Sequence, residues 1–80
     1  MGRRALEPRR RDGLSIVVVN GREQEVTTGE TVARLLDRLG LESRYALVER
    51  NGEPLERSRY DETALESGDR LVVARPVAGG

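Results

Sequence analysis

The 80-residue chain contains no cysteine, no histidine and no lysine. Without cysteine there are no disulfides and no thiolate nucleophile, and without histidine as well the usual zinc ligand sets reduce to carboxylates alone. Lysine Schiff-base chemistry is excluded too, because all 14 basic residues are arginine. A domain of this length also has little apolar surface left to enclose a deep pocket. We therefore expect a protein that is not an enzyme, with no catalytic residues, no metal site and no bound cofactor.

Aromatic residues and long apolar runs are scarce as well. The chain has two tyrosines and no phenylalanine or tryptophan, and its longest apolar runs, residues 16–19 and 71–74, have four residues each. A membrane-spanning helix needs about 20 apolar residues, and no stretch near the N-terminus resembles a secretory signal. These features predict a soluble, cytoplasmic protein that does not associate with a membrane.

Positive charge is concentrated at the start of the chain. Residues 1–14 contain five arginines and two acidic residues, a net charge of +3, while the rest of the chain has a net charge of −3. Such an arm, without aromatics or a helical period, is typical of a disordered leader, so residues 1–14 are predicted to be flexible. The acidic balance of the remainder opposes nucleic acid binding.

The first predicted elements form a hairpin. Residues 16–19 are β-branched throughout, which favours a strand, and Asn20-Gly21 is a strong signal for a two-residue hairpin turn. The returning segment, residues 22–27, is rich in polar side chains and suits the edge of a sheet.

An amphipathic helix follows the hairpin. Its apolar stripe has the spacing i, i+3, i+4 and i+7 and consists of Val32, Leu35, Leu36 and Leu39. Thr31 is placed to cap the first amides, and Gly40 fits a left-handed stop at the other end.

The remaining segments predict three more strands. Residues 45–50 are predicted to form a third strand, which turns at Asn51-Gly52 into a short strand around Leu55. We expect one helical turn at residues 63–65. The last strand is predicted at residues 70–75, where Pro76 ends it.

This order of elements predicts an α+β fold with a mixed sheet of four or five strands and one helix across one face. It is the β-grasp (ubiquitin-like) pattern, in which the first and last strands lie in parallel at the centre of the sheet. The predicted domain spans residues 15–76, and residues 77–80 form a flexible tail.

The Gly79-Gly80 end is the one feature of the chain that suggests chemistry. At a glycine frequency of about 7%, chance gives such an end about once in 200 chains. Glycines let a tail pass through a narrow channel and leave its terminal carbonyl open to attack. The alternative interpretation is an incidental tail.

A second candidate site is an apolar surface on the sheet face opposite the helix. Strand alternation places five apolar residues there, Ile16, Val18, Leu47, Val72 and Ala74. Free monomers seldom expose such a patch, so we expect these residues, with Val77 and Ala78 of the tail, to bind a partner protein.

Six segments resemble a known family: Val19-Asn20-Gly21, Thr31-Val32-Ala33-Arg34-Leu35-Leu36, Asn51-Gly52-Glu53, Arg57-Ser58-Arg59-Tyr60, Gly68-Asp69 and Pro76-Val77-Ala78-Gly79-Gly80. In this order and spacing they resemble the ThiS-type sulfur-carrier proteins of bacterial thiamine biosynthesis, over residues 16–80. That family is ubiquitin-like and related to the small subunit of molybdopterin synthase. Two departures are Arg50, where such carriers tend to have an apolar residue, and Tyr60, where a tryptophan is common.

The resemblance implies a protein cosubstrate. An E1-like adenylyltransferase would use ATP to adenylate the carboxylate of Gly80, and a sulfur donor such as a cysteine desulfurase would convert it to a thiocarboxylate that supplies thiazole synthase. Two alternatives remain open at this point. One is sulfur carriage for the molybdenum cofactor, and the other is a β-grasp interaction or RNA-binding module whose Gly-Gly end is incidental.

Overall fold

The β-branched run near the start of the chain forms the predicted hairpin. The computed structural model describes residues 13–75, in which β1 (Leu14–Val19) pairs antiparallel with β2 (Arg22–Thr27). Asn20 and Gly21 connect the two strands with φ angles of 50° and 84°. Two successive positive φ angles define the type I′ turn, whose twist matches that of the flanking strands.

The helix begins and ends at the predicted caps. In α1 (Val32–Arg38) the side chain of Thr31 accepts a hydrogen bond from the backbone N–H of Arg34 at 3.2 Å. At the other end Gly40 has a φ of 79°, and the N–H of Leu41 donates to the carbonyl of Leu36 at 2.9 Å. This is the glycine-terminated stop in which the N–H after the glycine satisfies a free carbonyl of the last turn.

Three further strands complete a five-stranded sheet in the order β2-β1-β5-β3-β4. They are β3 (Leu47–Arg50), β4 (Glu53–Leu55) and β5 (Arg70–Ala74). β5 is parallel to β1 on one side and antiparallel to β3 on the other. The prediction of a β-grasp fold, with the first and last strands parallel at the centre and β2 at an edge, is confirmed.

The core lies between α1 and one face of the sheet. Its buried apolar members are Val17, Val19, Val26, Val32, Leu35, Leu36, Ala46, Val48, Tyr60, Leu65, Leu71 and Val73. Three residues of the predicted helix stripe, Val32, Leu35 and Leu36, are therefore buried, whereas Leu39, one residue beyond α1, is 37% exposed. Tyr60 is buried with its hydroxyl donating to the carbonyl of Ala46 at 2.8 Å, so the phenol has the partner that a buried polar atom needs.

Two local predictions were wrong. The third strand begins at Leu47 rather than at residue 45, because Ser43–Tyr45 forms a 3₁₀ turn that uses the amide of Ala46. The helical turn expected at residues 63–65 is instead the 3₁₀ turn Arg57–Arg59. Residues 63–65 pair instead with the start of the helix. The backbone N–H of Val32 donates to the carbonyl of Thr63, and the N–H of Leu65 donates to the carbonyl of Glu30.

The two ends of the chain lie outside the described residues. β1 begins at Leu14, the last residue of the predicted leader, and residues 1–12 of that leader lie outside the described range. The predicted tail residues Val77, Ala78, Gly79 and Gly80 also fall outside the described range. The description ends with residue 75, one residue after β5.

Candidate functional site

The sheet face opposite α1 has an apolar strip that crosses three adjacent strands. On this face Leu47 of β3 lies opposite Ala74 of β5, and Val72 lies two residues before Ala74 on the same side. Leu47 and Val72 are 51% and 54% exposed. Ile16 and Val18 of β1 continue the strip and are half-buried. The structure therefore brings together all five residues that the sequence placed on the partner face.

Charged side chains lie beside this strip and within it, and one of them, Arg70 of β5, lies opposite Val18. In the register of the sheet, Glu25 lies opposite Ile16, Glu23 opposite Val18, and Glu49 opposite Val72. The three glutamates favour a partner surface with basic residues around an apolar centre, and Arg70 favours an acidic residue opposite it. We call the five apolar residues and these three glutamates the outer face.

The positions of Glu23 and Glu25 beside β1 follow from a signal that is present in the sequence. A two-residue turn at Asn20-Gly21 fixes the hairpin register, with Val19 opposite Arg22. Counting back from that pair places Glu23 and Glu25 beside the apolar residues of β1.

On the side facing β1, the end of β5 is held by a side chain rather than by a strand. Backbone pairing of β1 with β5 ends at Val19 and Leu71, where β1 turns away. The amide of Asn20 then bonds both backbone groups of Val73: its Oδ1 accepts from the Val73 N–H at 2.8 Å, and its Nδ2 donates to the Val73 carbonyl at 3.0 Å. We call this arrangement the Asn20 clamp.

A second asparagine holds the start of β5. Asn51 occupies the turn between β3 and β4 with a φ of 52°, and its Oδ1 accepts from the backbone N–H of Arg70 at 2.9 Å. Its Nδ2 donates to Asp69 Oδ1 at 3.1 Å. Asp69 is buried and also accepts from Arg50, so the arginine that departs from the family pattern has an ion-pair partner. β5 is thus fixed at both ends before the chain leaves the sheet.

No metal centre or membrane helix is found in the part of the chain that the structure describes. Among residues 13–75, no group of three or more acidic side chains is placed to hold a metal ion. Over the same range, none of the helical segments has the length and apolarity required to cross a membrane.

Comparison with known proteins gives a family match over most of the chain. Residues 17–80 match the model of the ThiS family. The matched segment contains α1, β2 to β5, the second half of β1, and the Gly79-Gly80 end.

Similar proteins of known structure and name are found as well. A crystal structure of the thiamine biosynthesis protein ThiS from Geobacter metallireducens is 34% identical, covers 81% of this chain and 99% of that one, and has a TM-score of 0.69. A solution structure of a thiamine biosynthesis protein from the same organism is 35% identical, covers 81% of this chain and 87% of that one, with a TM-score of 0.65.

One similar curated protein is much longer than this chain. A thiazole synthase of Paramagnetospirillum magneticum is 39% identical over 64 residues, which are 80% of this chain and 20% of that protein. The chain thus spans about a fifth of the length of the curated relative that it matches.

Proposed function

The chain belongs to the ThiS family of small sulfur-carrier proteins of thiamine biosynthesis, and we propose that it carries sulfur on the carboxylate of Gly80. The observation that carries this proposal is the family match, which runs through the Gly-Gly end. The chain acts as a protein cosubstrate, and its partners supply the catalytic groups.

The proposed chemistry has two steps at one carbon atom. An E1-like adenylyltransferase catalyses attack of a Gly80 carboxylate oxygen on the α-phosphorus of ATP, which releases pyrophosphate and leaves an acyl adenylate. Sulfide then attacks the carbonyl carbon and displaces AMP, which leaves a thiocarboxylate. A cysteine desulfurase with a thiol reductant is a suitable sulfide source. The chain itself binds no cofactor, because ATP belongs to the partner.

The fold supports this function by joining a binding surface to the reacting end. Val72 and Ala74 lie on the outer face, and the strand that contains them continues directly into residues 75–80. A partner bound to the outer face is therefore beside the point where the tail leaves the sheet. We infer that the adenylyltransferase binds there, with Val77 and Ala78 extending the contact toward Gly80.

The names of the similar proteins support thiamine biosynthesis as the pathway. Both similar structures are of thiamine biosynthesis proteins, and a segment similar to this chain lies within a protein named thiazole synthase. We therefore propose that a thiazole synthase accepts the sulfur. These names favour thiazole formation over the molybdenum cofactor, and the family match favours sulfur carriage over a β-grasp interaction or RNA-binding module.

Intact mass spectrometry tests the proposal directly. The full chain is incubated with the E1-like adenylyltransferase of the same organism, ATP and sulfide. We expect the mass to rise by the difference between one sulfur and one oxygen atom, with fragmentation placing the change on Gly80. Omission of ATP is the control and should prevent the change. An unchanged mass in the complete mixture would contradict sulfur carriage.

A further inference from the structure

We propose that Asn20 is a positioning residue for the reacting end of the chain. Its side chain holds the last buried residue of β5, Val73, and thereby fixes where residues 75–80 leave the sheet. This inference rests on the proposed function, because it takes Gly80 as the group that a partner must reach.

The Asn20 clamp continues a backbone ladder after the backbone has turned away. Val18 donates its N–H to the carbonyl of Asp69 at 2.8 Å, and Asn20 donates its own N–H to the carbonyl of Leu71 at 2.9 Å. If β1 continued alongside β5, the next bond of this ladder would join the backbone N–H of residue 22 to the carbonyl of Val73. That position lies beyond Gly21, on the returning strand. The Nδ2 of Asn20 donates to Val73 in its place.

The clamp satisfies both polar groups of the Val73 backbone. The side-chain amide has one acceptor and one donor on adjacent atoms, like a peptide group, and so it matches the N–H and C=O of a strand residue. Val73 is 8% exposed, and leaving its backbone groups without partners carries a free-energy cost. Loss of the clamp should therefore loosen the end of β5 while its pairing with β3 persists on the other side.

A looser end of β5 should weaken binding of the carrier to the adenylyltransferase and leave the chemical step unchanged. Gly80 lies seven positions after Val73, and extended chain spans at most about 3.5 Å per residue, so the exit point sets which region Gly80 can reach. Residues freed from β5 add to the segment that the partner must order, and ordering them costs backbone entropy. Once the tail is bound, the reacting atoms are in the same place as in the wild type. We therefore expect a higher KM with an unchanged kcat.

Asn51 provides a matched control within the same molecule. It has nearly the same φ angle as Asn20, precedes a glycine in the same type of turn, and also bonds β5 through its side-chain amide. It holds the start of the strand, however, rather than the end that leads into the tail. Asn20→Gly and Asn51→Gly each remove one amide and keep a residue that tolerates a positive φ.

The experiment measures steady-state adenylation of each full-length form by the E1-like adenylyltransferase at a saturating concentration of ATP. The assay temperature is well below the melting temperature of every form. For Asn20→Gly we expect KM for the carrier to rise about tenfold, equivalent to about 1.4 kcal/mol, with kcat within about twofold. For Asn51→Gly we expect KM and kcat near the wild-type values, even if this substitution lowers the melting temperature more than Asn20→Gly does. Amide exchange should accelerate at Val73 and Ala74 in Asn20→Gly alone.

A second substitution at the same position distinguishes a positioning effect from misfolding of Asn20→Gly. Asn20→Asp keeps an acceptor for the Val73 N–H but replaces the donor to the Val73 carbonyl by a second oxygen, so it should raise KM in the same direction. Equal KM values for wild type, Asn20→Gly and Asn20→Asp would overturn the positioning role, as would an equal rise in Asn51→Gly. Failure of the wild type to be adenylated would instead overturn the proposed function, and the positioning role with it.

Discussion

The guanidinium of Arg50 contacts the buried carboxylate of Asp69 through two nitrogens, with Nε and Nη2 each 3.0 Å from Oδ2. The same carboxylate accepts from the Asn51 side chain at 3.1 Å and from the backbone N–H of Glu66 at 2.9 Å. Asp69 therefore joins the turn after β3 to the bend before β5. A carboxylate with this many donors is satisfied, which is the condition under which a buried charge is tolerated.

The first prediction concerns the stability contributed by Asp69. Asp69→Ala leaves the half-buried Arg50 and the Asn51 amide without their acceptor, and we expect it to lower the free energy of unfolding by about 3 kcal/mol. Urea denaturation followed by circular dichroism measures this loss. Glu66→Ala, which removes an exposed carboxylate and keeps the backbone N–H, is the control and should change stability by less than about 0.5 kcal/mol. Equal effects of the two substitutions would show that the Asp69 contacts contribute nothing.

The second prediction concerns the helix stripe. Leu35 is 1% exposed whereas Leu39 is 37% exposed, although the sequence pattern treats them alike. Leu35→Ala should cost about 3 kcal/mol through lost burial and the cavity left behind. That is a large part of the roughly 5 kcal/mol that a small domain has. Leu39→Ala should cost less than about 1 kcal/mol because much of the side chain is already in water. If Leu39→Ala lowered stability more than Leu35→Ala in thermal denaturation, the assignment of the buried stripe would be wrong.

The elements that the sequence predicted are those with local signals. Both Asn-Gly turns, the Thr31 cap and the Gly40 stop depend on residues within a few positions of one another, and each was predicted. The alternation of apolar residues in the central strands also sufficed to predict which sheet face is buried.

The features that sequence reasoning missed depend on residues far apart in the chain. The Asn20 clamp joins residues 53 positions apart, so no window of sequence contains both partners. Likewise, residues 63–65 pair with the start of the helix and are extended for that reason. The apolar pattern of the outer face was predictable, but placing Glu23 and Glu25 beside β1 required counting along the hairpin register. The predicted roles of Gly79 and Gly80 fall on residues outside the described range and stay predictions.

The third prediction concerns the outer face. Leu47→Glu and Val72→Glu each place a carboxylate in an apolar strip that already has Glu49 beside it, and we expect each to weaken binding of the adenylyltransferase at least tenfold, or about 1.4 kcal/mol. Both side chains are about half exposed, so the melting temperature should change little. Calorimetric titration of the folded variants measures the affinity. Leu39→Glu, beyond the helix on the other side of the sheet, is the matched control and should bind like wild type. Wild-type affinity in both outer-face variants would exclude this surface.

The fourth prediction separates the reacting end from the fold. The core of the described residues is formed by residues between Val17 and Val73, and we expect deletion of Gly80 to leave the melting temperature unchanged. The same deletion should abolish thiocarboxylate formation, because the new terminal carbonyl lies about 3.5 Å short of its place in the partner. Near-attack geometry tolerates much smaller displacements.

Gly79→Ala should react more slowly, since one added methyl group obstructs a channel that fits bare backbone. Intact mass spectrometry after incubation with the adenylyltransferase, ATP and sulfide distinguishes the three forms, and a deletion variant that gains sulfur at the wild-type rate would rule out Gly80 as the carrier site.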